Sequence, residues 1–508
     1  MLYPLGFIIG LLSLSFWFYY KDSERGSLMR TIFFVAIGVY LIGWLMADAA
    51  MSFKFLMLSR DFLIMGVLAA IFKFLSKYPT LFKVGIGIVL LSWFIFWGGQ
   101  MRHTFTPTEK VEFDTRVPLA DDGELLVEVK PGKAFKEMES VIEKYDLEYQ
   151  KAFLPKYGNK TDLDDYYLVN IPDAFEKDIQ AIEAEMMATG LVDWIDENEI
   201  IQLDPVQTSM DLSTGVDFKV NDPDVSKLWG FEKMKVNDLY AALAKSGIVP
   251  QRKAKVFILD TGVDGQHEDL KDNYTSLNPS YDNDPVGHGT HCAGIAGAVT
   301  NNGIGIASLA PTGDFIEITS IKVLGPTGGG TQQSIIKGII EAVDNNADVL
   351  SLSLGGPSTR FRQKAYEQAI DYAAERNAIV VVAAGNSNKN AKDYSPANTS
   401  GVIAVSAVDS KIEKASFSNT VEDLKMGVAA PGVQIFSTTP NNNYTSFNGT
   451  SMATPYVSGL IGLMKSINPD LNTRQVYKIL QQTGVNTNDT RKTGKLIQPA
   501  AAIEELMD

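Results

Sequence analysis

Four apolar stretches crowd the first hundred residues of this chain, and the 400 residues after them are ordinary charged sequence, so no single core can hold both. Pro4–Tyr20 (PLGFIIGLLSLSFWFYY) and Thr31–Ala47 (TIFFVAIGVYLIGWLMA) are free of charge and close to the shortest length for a spanning helix. Phe62–Leu75 is the third, with Lys73 inside it and Arg60 and Asp61 just before. The fourth runs from Val84 to Gly98, with Lys83 at its edge. Residues 1–105 are therefore expected to be a membrane segment of three or four transmembrane helices. Positive charges follow the first run instead of preceding it, unlike a cleavable signal peptide. The first loop holds Lys21, Arg25 and Arg30, and the third holds Lys73, Lys77 and Lys83. In the second, Lys54 and Arg60 are offset by Asp48 and Asp61. An excess of cytoplasmic positive charge then places the N-terminus and everything after residue 100 outside the cytoplasm.

Charge divides the same way. The chain has 45 Lys+Arg against 60 Asp+Glu. Residues 1–110 hold ten basic and five acidic residues, leaving 35 against 55 for the rest. Such an acidic body excludes a nucleic-acid partner, which needs a basic surface. The single cysteine, Cys292, excludes an internal disulfide and a cysteine-based zinc or iron–sulfur site.

Residues 111–207 read as a small α+β unit. Glu124–Lys130 alternates as a strand does, and Ala134–Lys144 places Phe135, Met138, Val141 and Ile142 at helical spacing. Strands are expected at Leu147–Phe153 and Tyr166–Ile171, a helix at Phe175–Ala188 and a last strand at Val192–Leu203. The order is β-α-β-β-α-β, a ferredoxin-like split unit with no catalytic constellation of its own.

From residue 253 short apolar runs alternate with helical patterns. Strands are expected at Lys255–Leu259, Phe315–Lys322, Val349–Leu354, Ile379–Ala383 and Val402–Val405. Helices are expected at His288–Ala298, Ser334–Asn345, Arg360–Arg376 and Ser451–Ser466. Continuous apolar strands between helices imply an α/β fold around a buried parallel sheet, whose ligands bind at the carboxyl ends of the strands. Asp260 ends the first of these strands, and Asn386 follows the fourth. His288 and Ser451 begin helices in the glycine-flanked settings GHGTHCAG and FNGTSMATP. A serine needs a base, an imidazole needs a carboxylate to hold its tautomer, and a developing oxyanion needs fixed donors. These four residues supply each requirement, which is the equipment for acyl transfer.

The motifs DTG, HGTHCAG, SLGG, AAGN and NGTSMATP, in that order, resemble the subtilisin-like serine proteases, the subtilases or peptidase S8 family, over residues 216–508. The chain order Asp…His…Ser is the one found in subtilisin. The resemblance implies a serine endopeptidase with Asp260 orienting the histidine, His288 as general base and Ser451 as nucleophile. Asn386 and the backbone N–H of Ser451 would hold the oxyanion, and no cofactor is needed for catalysis. It also implies that peptide or protein substrate binds as an added strand between Ser353, Leu354, Gly355 and Gly356 on one side and Gly328, Gly329 and Gly330 on the other, with Tyr394 near the base of the specificity pocket. A structural calcium is expected in the loop from Thr300 to Ile306. Asp269 and Asn302 would offer side chains, Thr300, Ile304 and Ile306 carbonyls, and Asp222 a further carboxylate. His291 and Cys292 are expected to be packed helix residues, with Cys292 able to confer sensitivity to mercurials. His267 is a structural loop residue, and His103 at the membrane border has no assigned role.

Standing directly before such a domain, residues 111–207 resemble the family's inhibitory, folding-assisting propeptide of the inhibitor I9 type, acting in cis, with 208–252 as linker and arm and 253–508 as catalytic domain. Where cleavage is usual the chain reads Asp204-Pro205, and proline after the scissile bond disfavours cutting, which shifts the expected site toward Gln207–Asp211 or abolishes it. The expectation is a multi-pass, membrane-anchored zymogen, bound to the lipid bilayer with its catalytic domain extracytoplasmic. Its rival is a catalytically silent, membrane-anchored peptide sensor.

Overall fold

A computed structural model describes residues 2–21, 23–45, 51–92, 118–121, 123–203, 207–209, 213, 215–358 and 363–507. The chain packs as two units, Met1–Thr115 and Arg116–Asp508.

In the first unit four helices follow one another: α1 (Leu2–Tyr19), α2 (Glu24–Leu45), α3 (Met51–Leu75) and α4 (Pro79–Ser92). Phe7, Leu11, Tyr40, Trp44 and Met65 pack inside, and Phe72, Phe82 and Ile86 form a second cluster. Gly6 permits the close crossing of α1 and α2, since a Cβ there would lie 2.5 Å from the Tyr40 backbone nitrogen. Large apolar side chains also face outward, among them Phe34, Leu63 and Phe74. Lys54, Arg60 and Asp61, expected between helices, lie on α3 instead. The helix accommodates that charge because Arg60 Nε and the Tyr40 hydroxyl donate to the Asp61 carboxylate at 2.9 and 3.1 Å. Among the described residues one segment, Glu24–Ile42, is long and apolar enough to cross a membrane, and Gly6–Tyr19 is a shorter apolar helix. The expected fourth stretch enters α4 at Val84, and its part beyond Ser92 lies outside the described residues.

The second unit contains two principal sheets. β1 (Leu125–Val129), β2 (Glu148–Lys151), β3 (Tyr166–Asn170) and β4 (Val192–Glu197) form an antiparallel sheet in the order β2-β3-β1-β4. Helices α5 (Glu139–Tyr145) and α6 (Ile179–Ala188), each led in by a 3₁₀ turn, cover it with Val141, Tyr145, Ile182 and Met186. This is the β-α-β-β-α-β order read from the periodicity. The last expected strand does not run unbroken to Leu203. It stops at Glu197, and β5 (Ile200–Gln202) leaves the sheet to pair antiparallel with β9 (Gly329–Thr331). Next, β6 (Gln207–Ser209) pairs with β17 (Asn443–Asn448), itself half of a hairpin with β16 (Ile435–Thr439). The hairpin had no counterpart in the sequence reading, because Asn441–Asn443 hides a turn between polar, threonine-rich strands.

The large sheet is parallel throughout, in the order β18-β15-β14-β12-β10-β7-β8. Its strands are β7 (Ala254–Asp260), β8 (Ile316–Lys322), β10 (Val349–Leu352), β12 (Ile379–Ala383), β14 (Ile403–Val408), β15 (Gly427–Pro431) and β18 (Lys495–Leu496). β-Branched residues such as Val256, Ile258, Val381 and Val405 are buried in it, as a sheet covered on both faces requires. In chain order the helices are α7 (Trp229–Lys233), α8 (Val236–Ser246), α9 (His288–Gly297), α10 (Gln332–Asp344), α11 (Lys364–Glu375) and α12 (Thr450–Ile467). A short pair, β11 (Gly356–Pro357) with β13 (Tyr394–Ser395), lies just beyond β10.

Candidate active site

The carboxyl ends of β7, β10 and β12 meet the starts of α9 and α12. Asp260 is the last residue of β7, fully buried, and its Oδ1 lies 2.8 Å from His288 Nδ1. The Thr261 N–H also donates to that oxygen at 2.8 Å. His288 opens α9, which can approach only because its next residue is glycine. A Cβ at Gly289 would lie 2.1 Å from the Gly262 carbonyl. Burial lowers the proton affinity of His288, but the charge and hydrogen bond of Asp260, with the charge of Asp284, raise it above the ordinary imidazole value.

Ser451 stands in the first turn of α12, buried beside the end of β10. Its hydroxyl donates to the Ser353 carbonyl at 3.0 Å and not to His288, while Ser353 Oγ donates back to the Ser451 carbonyl at 2.8 Å. The Asp–His pair is thus assembled, whereas the serine hydroxyl is turned onto Ser353. Pro455 lies in the second turn of α12, where its missing N–H leaves the Ser451 carbonyl to accept from Ser353 Oγ instead. Asn386 follows β12, and its Oδ1 accepts from the N–H and hydroxyl of Thr450 at 2.8 and 2.9 Å. That fixes the amide so its Nδ2 end lies toward Gly449, 3.7 Å from where a Cβ would stand.

Two polar residues that the sequence reading passed over lie beside the pair. Thr261 and the buried Asp284 are joined by a 2.7 Å hydrogen bond from the threonine hydroxyl. The signal was local: an acid four residues before the histidine, in DPVGHGTH.

Cys292, one turn beyond His288, is buried, its thiol pushed well up by that burial. Its Sγ lies within 4.8 Å of ligand atoms of Asp260 and His288, so these three residues could together hold a soft ion. His291 Nε2 meets the Thr445 carbonyl, its ring stacks on Phe447, and burial pushes its pKa down to about 3. His267 Nε2 meets the Asn443 carbonyl. Both are packed residues, and His103 lies outside the described residues.

The glycine rims carry a strand of the chain itself. Ile201 pairs with Gly330, Gln202 with Gly329, and the Leu203 N–H donates to the Gly328 carbonyl at 3.0 Å. Opposite, Gly356 faces Ile201 so closely that a Cβ would lie 3.7 Å from its side chain. Ser353 and Leu354 are buried at the end of β10 beside Gly355, and Tyr394 is buried on β13.

The residues expected to hold calcium lie around the loop from Thr300 to Ile306. Asp269 is fully buried, and its carboxylate accepts from Asn302 Nδ2 and the Ile306 N–H, each at 2.8 Å. Burial pushes its pKa up to about 7. A Cβ at Gly305 would collide with Asp269 Oδ2 and the Tyr444 hydroxyl at 2.4 and 2.2 Å. Asp222 lies against the loop backbone, its oxygens taking the N–H groups of Asn301 and Asn302 at 2.9 and 3.1 Å. Thr300, Ile304 and Ile306 belong to the same loop. The Asp269 carboxylate is met here by nitrogen donors, and the Asn302 amide oxygen accepts from the Ile304 N–H, so a hard cation fits the carboxylate, amide and loop carbonyls once that amide turns its oxygen inward.

A family model described as "Subtilase family" matches residues 251–498. Subtilisin DY of Bacillus licheniformis is 43% identical over 258 residues, covering 49% of this chain and 90% of its own. An alkaline protease of Shouchella clausii is 34% identical over 313 residues, or 59% of this chain and 78% of its own. A solved protease structure from Pseudoalteromonas arctica superposes with a TM-score of 0.50 at 28% identity, covering 57% of this chain and 99% of its own.

Proposed function

The chain belongs to the subtilase family and is a serine endopeptidase of the subtilisin type, and on that premise we propose that it is made as a membrane-anchored, self-processing zymogen. In this reading Asp260 holds His288, which takes the Ser451 proton as the hydroxyl attacks a peptide carbonyl. Asn386 Nδ2 and the Ser451 N–H bind the oxyanion, and His288 then protonates the departing amine. Ser451 reaches His288 by leaving Ser353, a rotation about one side-chain bond. Calcium, when bound by Asp269, Asn302 and the Thr300–Ile306 loop, contributes stability and no catalytic step.

The observation that carries the zymogen reading is the placement of β5 and β6. Leu203 is held on Gly328 at one rim, and Gln207 is paired with Asn448, three residues before Ser451. Only residues 204–206 join them, so the two anchors are at most about 14 Å apart. One segment therefore runs from the Gly328 rim to the strand that leads into Ser451, as a propeptide acting in cis would. The unit from residue 118 to 203 is clamped onto the catalytic body by charge. The Ala365 N–H at the start of α11 donates to Asp196 at 2.8 Å, Lys364 pairs with Glu128 and Asp193, and Gln363 donates to Glu199. Anchoring rests on the outward apolar side chains of α2 and α3 and on the charge-free stretches; loop charge favours an extracytoplasmic catalytic domain.

The test is a fractionated blot of C-terminally tagged chain, wild type beside Ser451→Ala. A shortened product in the wild type alone supports self-cleavage, and its release from the membrane fraction supports the anchor. Full-length chain in both lanes, with no fluorophosphonate labelling of the wild type, would instead support the silent peptide sensor.

A further inference from the structure

We propose that Asp284 is a positioning residue of the catalytic site, a second buried carboxylate that sets His288 against Asp260. This rests on the reading of Asp260, His288 and Ser451 as the triad. Asp284 is 3% exposed, and a carboxylate so buried is costly unless its oxygens are met by donors. Its Oδ1 accepts from the Thr261 hydroxyl at 2.7 Å, Gly287 N–H at 2.8 Å and Val286 N–H at 3.1 Å. Its Oδ2 accepts from the N–H and the hydroxyl of Thr290, each at 2.8 Å.

The identity of the donors gives the carboxylate its role. Gly287 immediately precedes His288 and Thr290 follows by two, so the first turn of α9 hangs on Asp284 from both sides of the histidine. Thr261 immediately follows Asp260. Its N–H donates to Asp260 Oδ1, and its hydroxyl, donated to Asp284, accepts the Gly289 N–H at 3.1 Å. One carboxylate therefore ties the loop behind the triad acid to the helix that carries the base. Its negative charge also favours the N-terminus of α9 and the protonated form of His288. The other titratable groups near that ring are Asp260 on β7 and His291 and Cys292 on α9, while Lys322 on β8 runs beside Gly262. A residue that merely closed a loop would leave the titration of the base unmoved, and that is the difference the experiment reads.

The experiment measures the rate at which a fluorophosphonate labels Ser451 in the full-length chain, as a function of pH, for wild type and Asp284→Asn. Asp284→Asn keeps the shape but removes the charge and one acceptor. The expected result is labelling slowed about 10–100-fold on the alkaline plateau, with the acid limb moved down by on the order of half a pH unit. An unchanged rate, or a slowed rate with an unmoved limb, overturns the proposal. Should Asp284→Asn fail to accumulate, Thr261→Ser, which keeps the bridging hydroxyl, is expected to label at least about ten times faster than Thr261→Val; equal rates overturn it. A wild type that neither shortens itself nor labels removes the triad reading itself, an outcome distinct from a reactive wild type indifferent to residue 284.

Discussion

A histidine held by a buried carboxylate titrates late, and that sets the pH range of the enzyme. Against the lowering effect of burial, Asp260 and Asp284 raise the proton affinity of His288, and only the neutral ring accepts the serine proton. Activity is therefore lost as pH falls through a value above the ordinary 6.5, which a kcat/KM profile on a peptide substrate reads directly. Asn386 makes a separate claim. Its Oδ1 is committed to Thr450, so Asn386→Ala is expected to lower kcat about 10²–10³-fold with little change in KM. An equal rise in KM would instead make the residue a binding group. Cys292 lies against the Asp260–His288 pair with its thiol suppressed by burial, so Cys292→Ala is expected to retain activity and abolish inhibition by mercurials. Retained inhibition would locate the sensitivity elsewhere.

Strands and helix ends decide how the small unit is held. β5 completes a pairing with β9 that, on the proposed reading, substrate would otherwise make, and the adjoining contacts concentrate at the start of α11, where the Ala365 N–H meets an acidic side chain. Replacing Asp196 and Glu199 together by alanine strands the Ala365 N–H and takes one acceptor from the Gln363 amide, which keeps Ser358. Each lost buried partner costs about 1–3 kcal/mol. The uncleaved double variant, with its site less often covered, should label with fluorophosphonate at least about tenfold faster than the uncleaved parent. An unaltered rate would mean that β5 alone keeps the site closed.

At the scale of the whole chain, the proposed reading assigns anchoring to Met1–Thr115 and chemistry to Arg116–Asp508. A chain beginning at residue 116 should leave the membrane fraction and still label at Ser451. Retention in that fraction would place membrane affinity in the acidic body. Calcium belongs to this scale also, since a ligand bound only by the folded state stabilises all of it. Chelation is expected to lower Tm by on the order of 5–10 °C, and a calorimetric scan with and without chelator decides. No shift would leave the Asp269 loop as a purely hydrogen-bonded turn.

The proposed chemistry was legible in the sequence because the residues assigned to it sit where local signals are strongest. Asp260 ends an apolar run, and His288 and Ser451 open helices between glycines that permit close backbone approach, so both element and role follow from a few neighbouring residues. The parallel sheet was legible for the same reason, in strands apolar on both faces. Tertiary structure alone decided that the last expected strand breaks after Glu197, because the edge that β5 joins is furnished by Gly329–Thr331, more than a hundred residues away. It also decided that β6 adds to a hairpin built from polar residues. Periodicity reports which face of a strand is buried and says nothing of which edge is open. Likewise the partners of a buried polar atom come from whatever elements the fold brings to it, which is why the hydrogen bonds of Asp284, to donors on both sides of His288 and to the neighbour of Asp260, showed only in three dimensions.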